Sequence, residues 1–188
     1  SLEKPSKVIH GLCEGPDSED FRIIQTIIRG IPVINTYVPQ GFDITNPKYQ
    51  YKLGWYKRLK VYFEEHIDFK KPAVWLGDLN VAPGDLDVHG PEKHLKHPCF
   101  HTDAKNAYAA TIELGWVDVF RAKYPDRVQY TFWDFFMNSF ARDKGWRIDH
   151  ILATPPLAKK CKDVIVDLTP RKAPSPSDHT VVVAEFDV

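Results

Sequence analysis

Two polar residues at the end of an apolar run, Asp78 and Asn80, have the types and spacing of a metal-binding or hydrolytic site. They lie two positions apart, so both side chains would point to the same side of an extended backbone. A carboxylate and an amide carbonyl are hard oxygen ligands that suit Mg²⁺ or Mn²⁺. Asp78 could equally act as a base on water. The alternative is that both residues only begin a turn, as Asp and Asn often do.

Two Asp-His pairs, Asp149-His150 and Asp178-His179, each begin a β-branched run that predicts a strand. Asp178 is a metal-ligand type. His179 could act as a general base or, when protonated, stabilise charge that develops on a phosphate. Such a histidine needs a carboxylate to fix its tautomer, and Asp149 is a candidate for that partner. The alternative is that both pairs are turn residues before strands.

Aromatic and basic residues provide a second group of candidates. Tyr37 ends the run "VINTY" beside a Pro-Gln-Gly loop, where its phenol could donate to a phosphate. The segment 130–150 interleaves aromatic rings with Arg and Lys, and rings stack on bases or sugars while cations hold phosphates. Ordinary half-buried aromatics and a core segment with a charged turn are the alternatives.

The loop at residues 82–101 is rich in histidine. Its metal-ligand types are His89, His94, His97, Cys99 and His101. Their spacing fits no paired zinc-ligand pattern, so we expect a solvated, partly basic loop near a polyanion. The chain has three widely spaced cysteines, which predict no disulfide framework and favour a reducing intracellular compartment.

The predicted elements that position these residues alternate between strands and helices. A hairpin is expected at residues 21–28 and 31–38, helices at 48–66 and 103–115, and a buried strand at 72–81. Further strands are expected at residues 130–138, 146–154, 163–169 and 180–188. This order predicts one α/β domain over residues 1–188. Zero net charge excludes a generic polyanion-coating protein, and no apolar stretch is long enough to predict a transmembrane helix.

The order of four motifs, "NTYVPQG", "GDLNVAPGDLDV", "YTFWDFFMNSFARDKGWRIDH" and "SDHTVVV", resembles the exonuclease III family of apurinic/apyrimidinic endonucleases, within the endonuclease/exonuclease/phosphatase superfamily. The resemblance implies a four-layer α/β sandwich with two packed mixed β-sheets. It also implies Mg²⁺-dependent hydrolysis of DNA 5′ to abasic sites, with Mn²⁺ as a possible substitute, and 3′-to-5′ exonuclease or 3′-end cleaning activity. The implied partner is double-stranded DNA with abasic sites or 3′ ends. The full-length protein would be a cytoplasmic monomer, associated with the nucleoid in a prokaryote.

The resemblance also assigns roles by matching positions. The catalytic set that it implies is Tyr37, Asp78, Asn80, Asp149 and His179. The metal set is Asp78, Asn80, Asp178 and His179. The substrate-binding set is Gln40, Phe132, Trp146, Arg147 and Ile148. Tyr37 would contact the scissile phosphate, and Asp78 would handle the nucleophilic water or protonate the leaving group. Phe132, Trp146 and Ile148 would form an apolar pocket for the abasic deoxyribose.

The sequence departs from the family at its beginning. Motifs like "WNVNS" and "QETK", whose Asn and Glu complete the family's metal site, do not occur. We therefore expect the N-terminal third, with its strands, to be missing, and this chain alone to be weakly active or inactive. Two alternatives remain. One is a superfamily phosphodiesterase or phosphatase that acts on a lipid, an inositol phosphate or an RNA tail. The other is an inactive DNA-binding fragment.

Overall fold

The computed structural model describes residues 2–12 and 21–188, which form two β-sheets and flanking helices. The strands of the larger sheet are β1 (Val8–His10), β2 (Ile23–Ile28), β3 (Ile31–Tyr37), β4 (Val74–Asp78), β5 (Val117–Asp118) and β6 (Asp149–Ala153). They lie in the order β1-β2-β3-β4-β6-β5. The β3–β4 pair is parallel and the other pairs are antiparallel, so the sheet is mixed. The second sheet is the antiparallel pair β7 (Cys161–Asp167) and β8 (Val181–Phe186).

The helices α1 (Pro47–His66) and α2 (Thr102–Ile112) cover one face of the larger sheet. The short helices α3 (Val119–Lys123) and α4 (Pro155–Ala158) pack in the core on its opposite face. α1 begins at Asn46, whose side chain caps it by accepting from the Lys48 backbone, and a proline follows at the first helical position. The inner face of α1 packs Leu59 and Phe63 into the core with Trp75 of β4.

The opposite face of the larger sheet packs on the β7–β8 pair. Val74 of β4 and Ala153 of β6 share a core cluster there with Val164 of β7. β4 is therefore buried on both faces, which explains why its sequence is a continuous apolar run and not an alternating one. Two packed sheets with helices outside confirm the α/β class and the fold that the resemblance implied.

The hairpin and the two long helices lie where the sequence predicts them, but the strand expected at 130–138 is wrong. Phe132 makes only isolated bridges, to Trp146 and His179. The chain then turns through Phe136–Asn138, where Met137 and Asn138 adopt φ values of 53° and 59°. That left-handed backbone cannot continue a strand, so the apolar run 135–137 ends in an exposed turn.

Residues 2–12 contain the short strand β1, which the sequence does not predict. Residues 13–20 lie outside the described part of the chain, and with them the predicted free thiol of Cys13. Cys99 and Cys161 are free thiols. Within the described residues, no helix is both long and apolar enough to span a membrane.

Candidate active site

Three candidate residues stand in one row across neighbouring strands of the larger sheet. Tyr37, the last residue of β3, is the parallel register partner of Asp78, the last residue of β4. Asp78 is in turn the antiparallel partner of Asp149, the first residue of β6. The sheet therefore brings one phenol and two carboxylates together at the carboxyl ends of β3 and β4, where open α/β sheets place their sites.

A sharp turn after β4 brings Asn80 back to Asp78. Asn80 has a φ of 49°, and its backbone N–H and Nδ2 each donate to one carboxylate oxygen of Asp78 at 2.9 Å. The prediction that an extended backbone aligns the two side chains is therefore wrong, because the strand ends at Asp78. Nδ2 also donates to the Val38 carbonyl at 2.9 Å. With both amide hydrogens used, Oδ1 of Asn80 accepts from the Cys99 thiol at 3.5 Å and keeps a second lone pair for a cation.

His179 is held by Asp149 in one tautomer. Nδ1 of His179 lies 2.8 Å from Oδ2 of Asp149, so Nδ1 carries the proton and Nε2 remains for chemistry. The Thr131 hydroxyl donates to the same carboxylate oxygen at 2.6 Å. Burial by itself lowers the pKa of His179, but the hydrogen bond and charge of Asp149, with the charge of Asp78, raise it above its ordinary value.

The carboxyl of Asp78 titrates close to neutral pH. Burial raises its pKa first, the charge of Asp149 adds to the rise, and the Asn80 backbone and His179 oppose it, leaving the pKa at about 6. A carboxyl with that pKa can accept or deliver a proton near pH 7, which a general acid or base must do.

A cavity of about 340 Å³ opens at the carboxyl ends of β3 and β4. It is lined by every predicted site residue except Asp149 and Arg147. Asp149 contacts His179, which does line the cavity. His97, Cys99 and Asp134 also line it and were not predicted as site residues.

Arg147 does not line this cavity, so its predicted contact with substrate is wrong. Its guanidinium is buried, with Nε donating to Asp87 and Nη1 to Asp118, each at 2.7 Å. Nη1 also lies 3.0 Å from Nδ1 of His150, whose Nε2 lies 2.8 Å from the Val81 carbonyl. The buried carboxylate of Asp87 and the partly buried one of Asp118 need a paired cation, and Arg147 has that structural role.

One wall of the cavity is apolar. Ile148 is buried in a small core cluster against which Phe132 and Trp146 pack. The Phe132 ring lies 4.9 Å from the His179 ring, measured between centroids. The catalytic histidine candidate and the apolar wall thus share one cavity.

The histidine-rich loop is partly buried, so the expected solvated and basic loop is wrong at His94 and His97. Their rings pack on Trp146, with centroids 4.7 and 4.5 Å from it. Burial lowers the pKa of His97 to about 4, so it is uncharged at neutral pH. No spacing rule marks His97 as a site residue, because its contact with Trp146 joins positions far apart in sequence.

Oxygen atoms dominate the donors that could hold a metal. Asp78, Asp178 and Asn80 all line the cavity, and carboxylate and amide oxygens suit a hard divalent cation. Residues 2–12 and 21–188 contain no group of three or more His, Cys, Asp or Glu placed to hold a metal. The two carboxylates of Asp78 and Asp178 and the amide oxygen of Asn80 therefore fit part of a site for a hard divalent cation.

Three known proteins show how this chain is related to others. The exodeoxyribonuclease of Bacillus subtilis is 29% identical over 170 residues, which is 88% of this chain and 66% of that protein. An AP endonuclease from Archaeoglobus fulgidus is 53% identical, with a TM-score of 0.97 over 100% of this chain and 73% of its own. A 3′ phosphatase from Neisseria, bound to a product DNA hairpin, is 36% identical, with a TM-score of 0.94 over 100% of this chain and 73% of its own.

This chain therefore spans 66% of the length of the Bacillus relative and 73% of each structural neighbour. Residues 5–179 match the model of the Endonuclease/Exonuclease/phosphatase family. The chain belongs to that family.

Proposed function

We propose that the protein is a DNA repair nuclease that hydrolyses the phosphodiester 5′ to an abasic site and also trims 3′ ends. One observation carries the proposal. The hydrogen-bonded pair Asp149–His179 and the carboxyl of Asp78 share a cavity with an apolar wall. The polar groups suit phosphate hydrolysis, and the wall suits a sugar that has no base.

Each polar side chain has a role that its geometry supports. His179 uses Nδ1 for Asp149, so Nε2 is the atom that we assign to a phosphate oxygen. The raised pKa of Asp78 supports proton transfer, either from the attacking water or to the oxygen that leaves phosphorus. Tyr37 is half exposed at the rim, where its phenol can donate to the phosphate. Gln40 lines the same rim.

We further propose that the enzyme requires a divalent cation, with Mg²⁺ first and Mn²⁺ as a substitute. Asp78, Asn80 and Asp178 are the residues that would hold it. When bound, it would neutralise charge on the phosphate. We assign His179 to the phosphate and not to the metal, because Asp149 already orients its ring.

The apolar wall provides substrate selection in this proposal. A sugar without a base is small and is not stacked in the duplex, so rotating it out costs little compared with a paired nucleotide. Phe132, Trp146 and Ile148 would receive it by apolar contact. The partner is then double-stranded DNA, and we expect a monomeric, cytoplasmic enzyme that is associated with the nucleoid in a prokaryote.

A second candidate is removal of phosphate from 3′ ends without abasic-site incision. It is favoured by the 36% identity to the Neisseria protein that is described as a 3′ phosphatase. His97 lines the cavity and its ring packs on Trp146, so it occupies space beside the wall that would receive an extrahelical sugar. Both candidates use the same polar groups, so only substrate choice separates them.

The test uses full-length protein and three labelled duplexes. One carries a tetrahydrofuran abasic analogue, one a 3′ phosphate, and one is intact with a 3′ hydroxyl. Each is incubated with Mg²⁺ and with EDTA, and His179→Ala serves as the control for a contaminating nuclease. We expect a Mg²⁺-dependent nick 5′ to the analogue. Phosphate release without a nick would establish the second candidate instead, and binding without any cleavage would reduce the protein to a DNA-binding role.

A further inference from the structure

We propose that Lys52 is a positioning residue of this site, an inference that rests on the proposed function. Lys52 lies on the inner face of α1 and is fully buried, with 0% of its surface exposed. All three of its hydrogen-bond acceptors are main-chain carbonyl oxygens, of Gln40, Asn80 and Pro98, at 3.2, 2.7 and 2.8 Å. It does not reach the cavity itself.

The three carbonyls belong to three different loops that build the cavity. Gln40 follows β3 and Asn80 follows β4, and both side chains line the cavity. Pro98 lies between His97 and Cys99, which line it from the histidine-rich loop. One ammonium group therefore bonds to three of the loops that build the cavity, beyond the ends of the paired strands β3 and β4.

Two tyrosines extend the same polar row on α1. The Tyr56 hydroxyl, one turn after Lys52, donates to the Leu79 carbonyl at 2.6 Å. The Tyr49 hydroxyl, one turn before, lies 3.0 Å from Nδ1 of His101. Residues three and four apart share a helix face, so Tyr49, Lys52 and Tyr56 form one polar row on α1. This row contacts the loop after β4 and the residue that precedes α2. α1 would have no need of a buried ammonium there if it served only as a core helix.

Energetics support a positioning role. Burying an ammonium is costly unless its donors are satisfied, and here three N–H donors meet three acceptors. A methionine would fill the same volume and leave the three carbonyls without this donor. The loops would then lose their common anchor, and Asn80 with them, while the hydrophobic core of α1 would keep its packing.

The test compares Lys52→Met with Leu59→Ala in the full-length protein. Leu59 is equally buried on α1 but packs in the core, so its variant reports loss of stability alone. On the tetrahydrofuran duplex we expect Lys52→Met to lower kcat by about 100-fold with little change in KM, as small misplacements of reacting groups do. Leu59→Ala should keep kcat within about threefold of wild type at a temperature where both variants are folded.

Lys52→Gln is the second variant, because an amide keeps donors for part of the set and disturbs folding less. Its kcat should fall between those of wild type and Lys52→Met. Wild-type kcat in either Lys52 variant, or an equal loss in Leu59→Ala, would overturn the positioning role.

Amide hydrogen exchange separates this inference from the proposed function, because it needs no activity. The backbone amides of Leu79, Ala82 and Phe100 donate at 2.9, 2.7 and 2.8 Å to Ile148, Cys99 and His97. We expect these three amides to exchange at least about tenfold faster in Lys52→Met, relative to the amides of central strand β6, and not in Leu59→Ala. If the wild-type protein cuts no DNA, the proposed function fails, and unchanged exchange would refute the role of Lys52 separately.

Discussion

Asp78 and Asp149 face each other directly across the antiparallel pair β4–β6. The two carboxylates have different partners, since Asp149 binds His179 and Thr131 while Asp78 receives its hydrogen bonds from Asn80. Burial, and then the charge of Asp149, raise the pKa of Asp78 to about 6. The sheet register thus places an acid with a raised pKa beside a second carboxyl group, and it does so at a cost in stability.

Replacing Asp78 with asparagine should stabilise the protein at neutral pH. The folded pKa of about 6 exceeds the unfolded value, so ionisation of Asp78 opposes folding above pH 6. That penalty shrinks as the pH falls through the folded pKa, and it is gone below the unfolded pKa, where both states are protonated. We expect a gain on the order of 1–2 kcal/mol in the free energy of unfolding at pH 7.5, shrinking towards pH 4.

Urea unfolding in EDTA at both pH values checks this prediction, since a bound cation would mask it. Asp134→Asn is the matched control, because Asp134 lines the same cavity and is exposed. Nuclease activity should be lost in Asp78→Asn only. Equal stability of wild type and Asp78→Asn at pH 7.5 would contradict the assigned cost.

Thr131 is expected to hold Asp149 in place for His179. It is fully buried, and its hydroxyl donates to Asp149 while accepting from the Ile148 and Asp149 amides at 3.2 Å. A hydrogen bond to a charged group contributes about 1.5–3 kcal/mol, so Thr131→Val should lower kcat about 10- to 100-fold. Thr131→Ser keeps the hydroxyl and should stay near wild type. Equal kcat values for the valine and serine variants would exclude this role.

Residue types predict much of this site, because strand ends carry short-range signals. The apolar run before Asp78 and the β-branched run after His179 predict where those strands lie, and the pairing of Asp149 with His179 is suggested by chemistry alone. The structure brings these residues to one cavity. Their roles in catalysis remain predictions.

Other features depend on contacts between distant positions, which no local pattern reveals. Arg147 sits between aromatic and basic neighbours that suggest a DNA surface, yet its partners Asp87 and Asp118 are 60 and 29 residues away. The strand expected at 130–138 fails because apolar residues at 135–137 are exposed and not part of a core. Lys52 looks like one of several helix lysines until its three carbonyl partners are seen.

Arg147→Met should destabilise the protein without changing substrate affinity. The variant leaves the buried Asp87 with Arg121 as its remaining cation and the partly buried Asp118 without its arginine. Removing one partner of a buried ion pair typically costs about 3–5 kcal/mol. Burial alone would raise the pKa values of Asp87 and Asp118, but the charge of Arg147 holds both below the ordinary range. The stability that they contribute is present above the unfolded pKa and is lost as the pH falls through the folded pKa.

The deficit of Arg147→Met should therefore be largest at neutral pH and shrink in acid, where protonation of the carboxylates removes their need for a cation. Thermal unfolding between pH 3.5 and 7.5 measures this. Arg147→Lys keeps the charge without the forked geometry of the guanidinium. Its stability should therefore lie between those of wild type and Arg147→Met. A raised KM with unchanged stability would instead restore Arg147 to the substrate site.

Gly77 should tolerate no side chain, because β3 lies too close to it. Gly77 has a φ of 129°, and a Cβ there would lie 2.0 Å from the Thr36 carbonyl oxygen, which is backbone that cannot rotate away. Gly77→Ala must therefore separate β3 from β4 and displace Asp78 from Tyr37.

Gly30→Ala is the matched control, since Gly30 also has a positive φ, 78°, but nothing lies within 4 Å of a Cβ added there. The control should lose only about 1–2 kcal/mol of unfolding free energy, the cost of a left-handed alanine. Gly77→Ala should lose more than about 3 kcal/mol, and chemical denaturation of both variants measures the difference. Similar losses would mean that the β3–β4 spacing adapts, and that Asp78 is not held as rigidly as the register of the sheet implies.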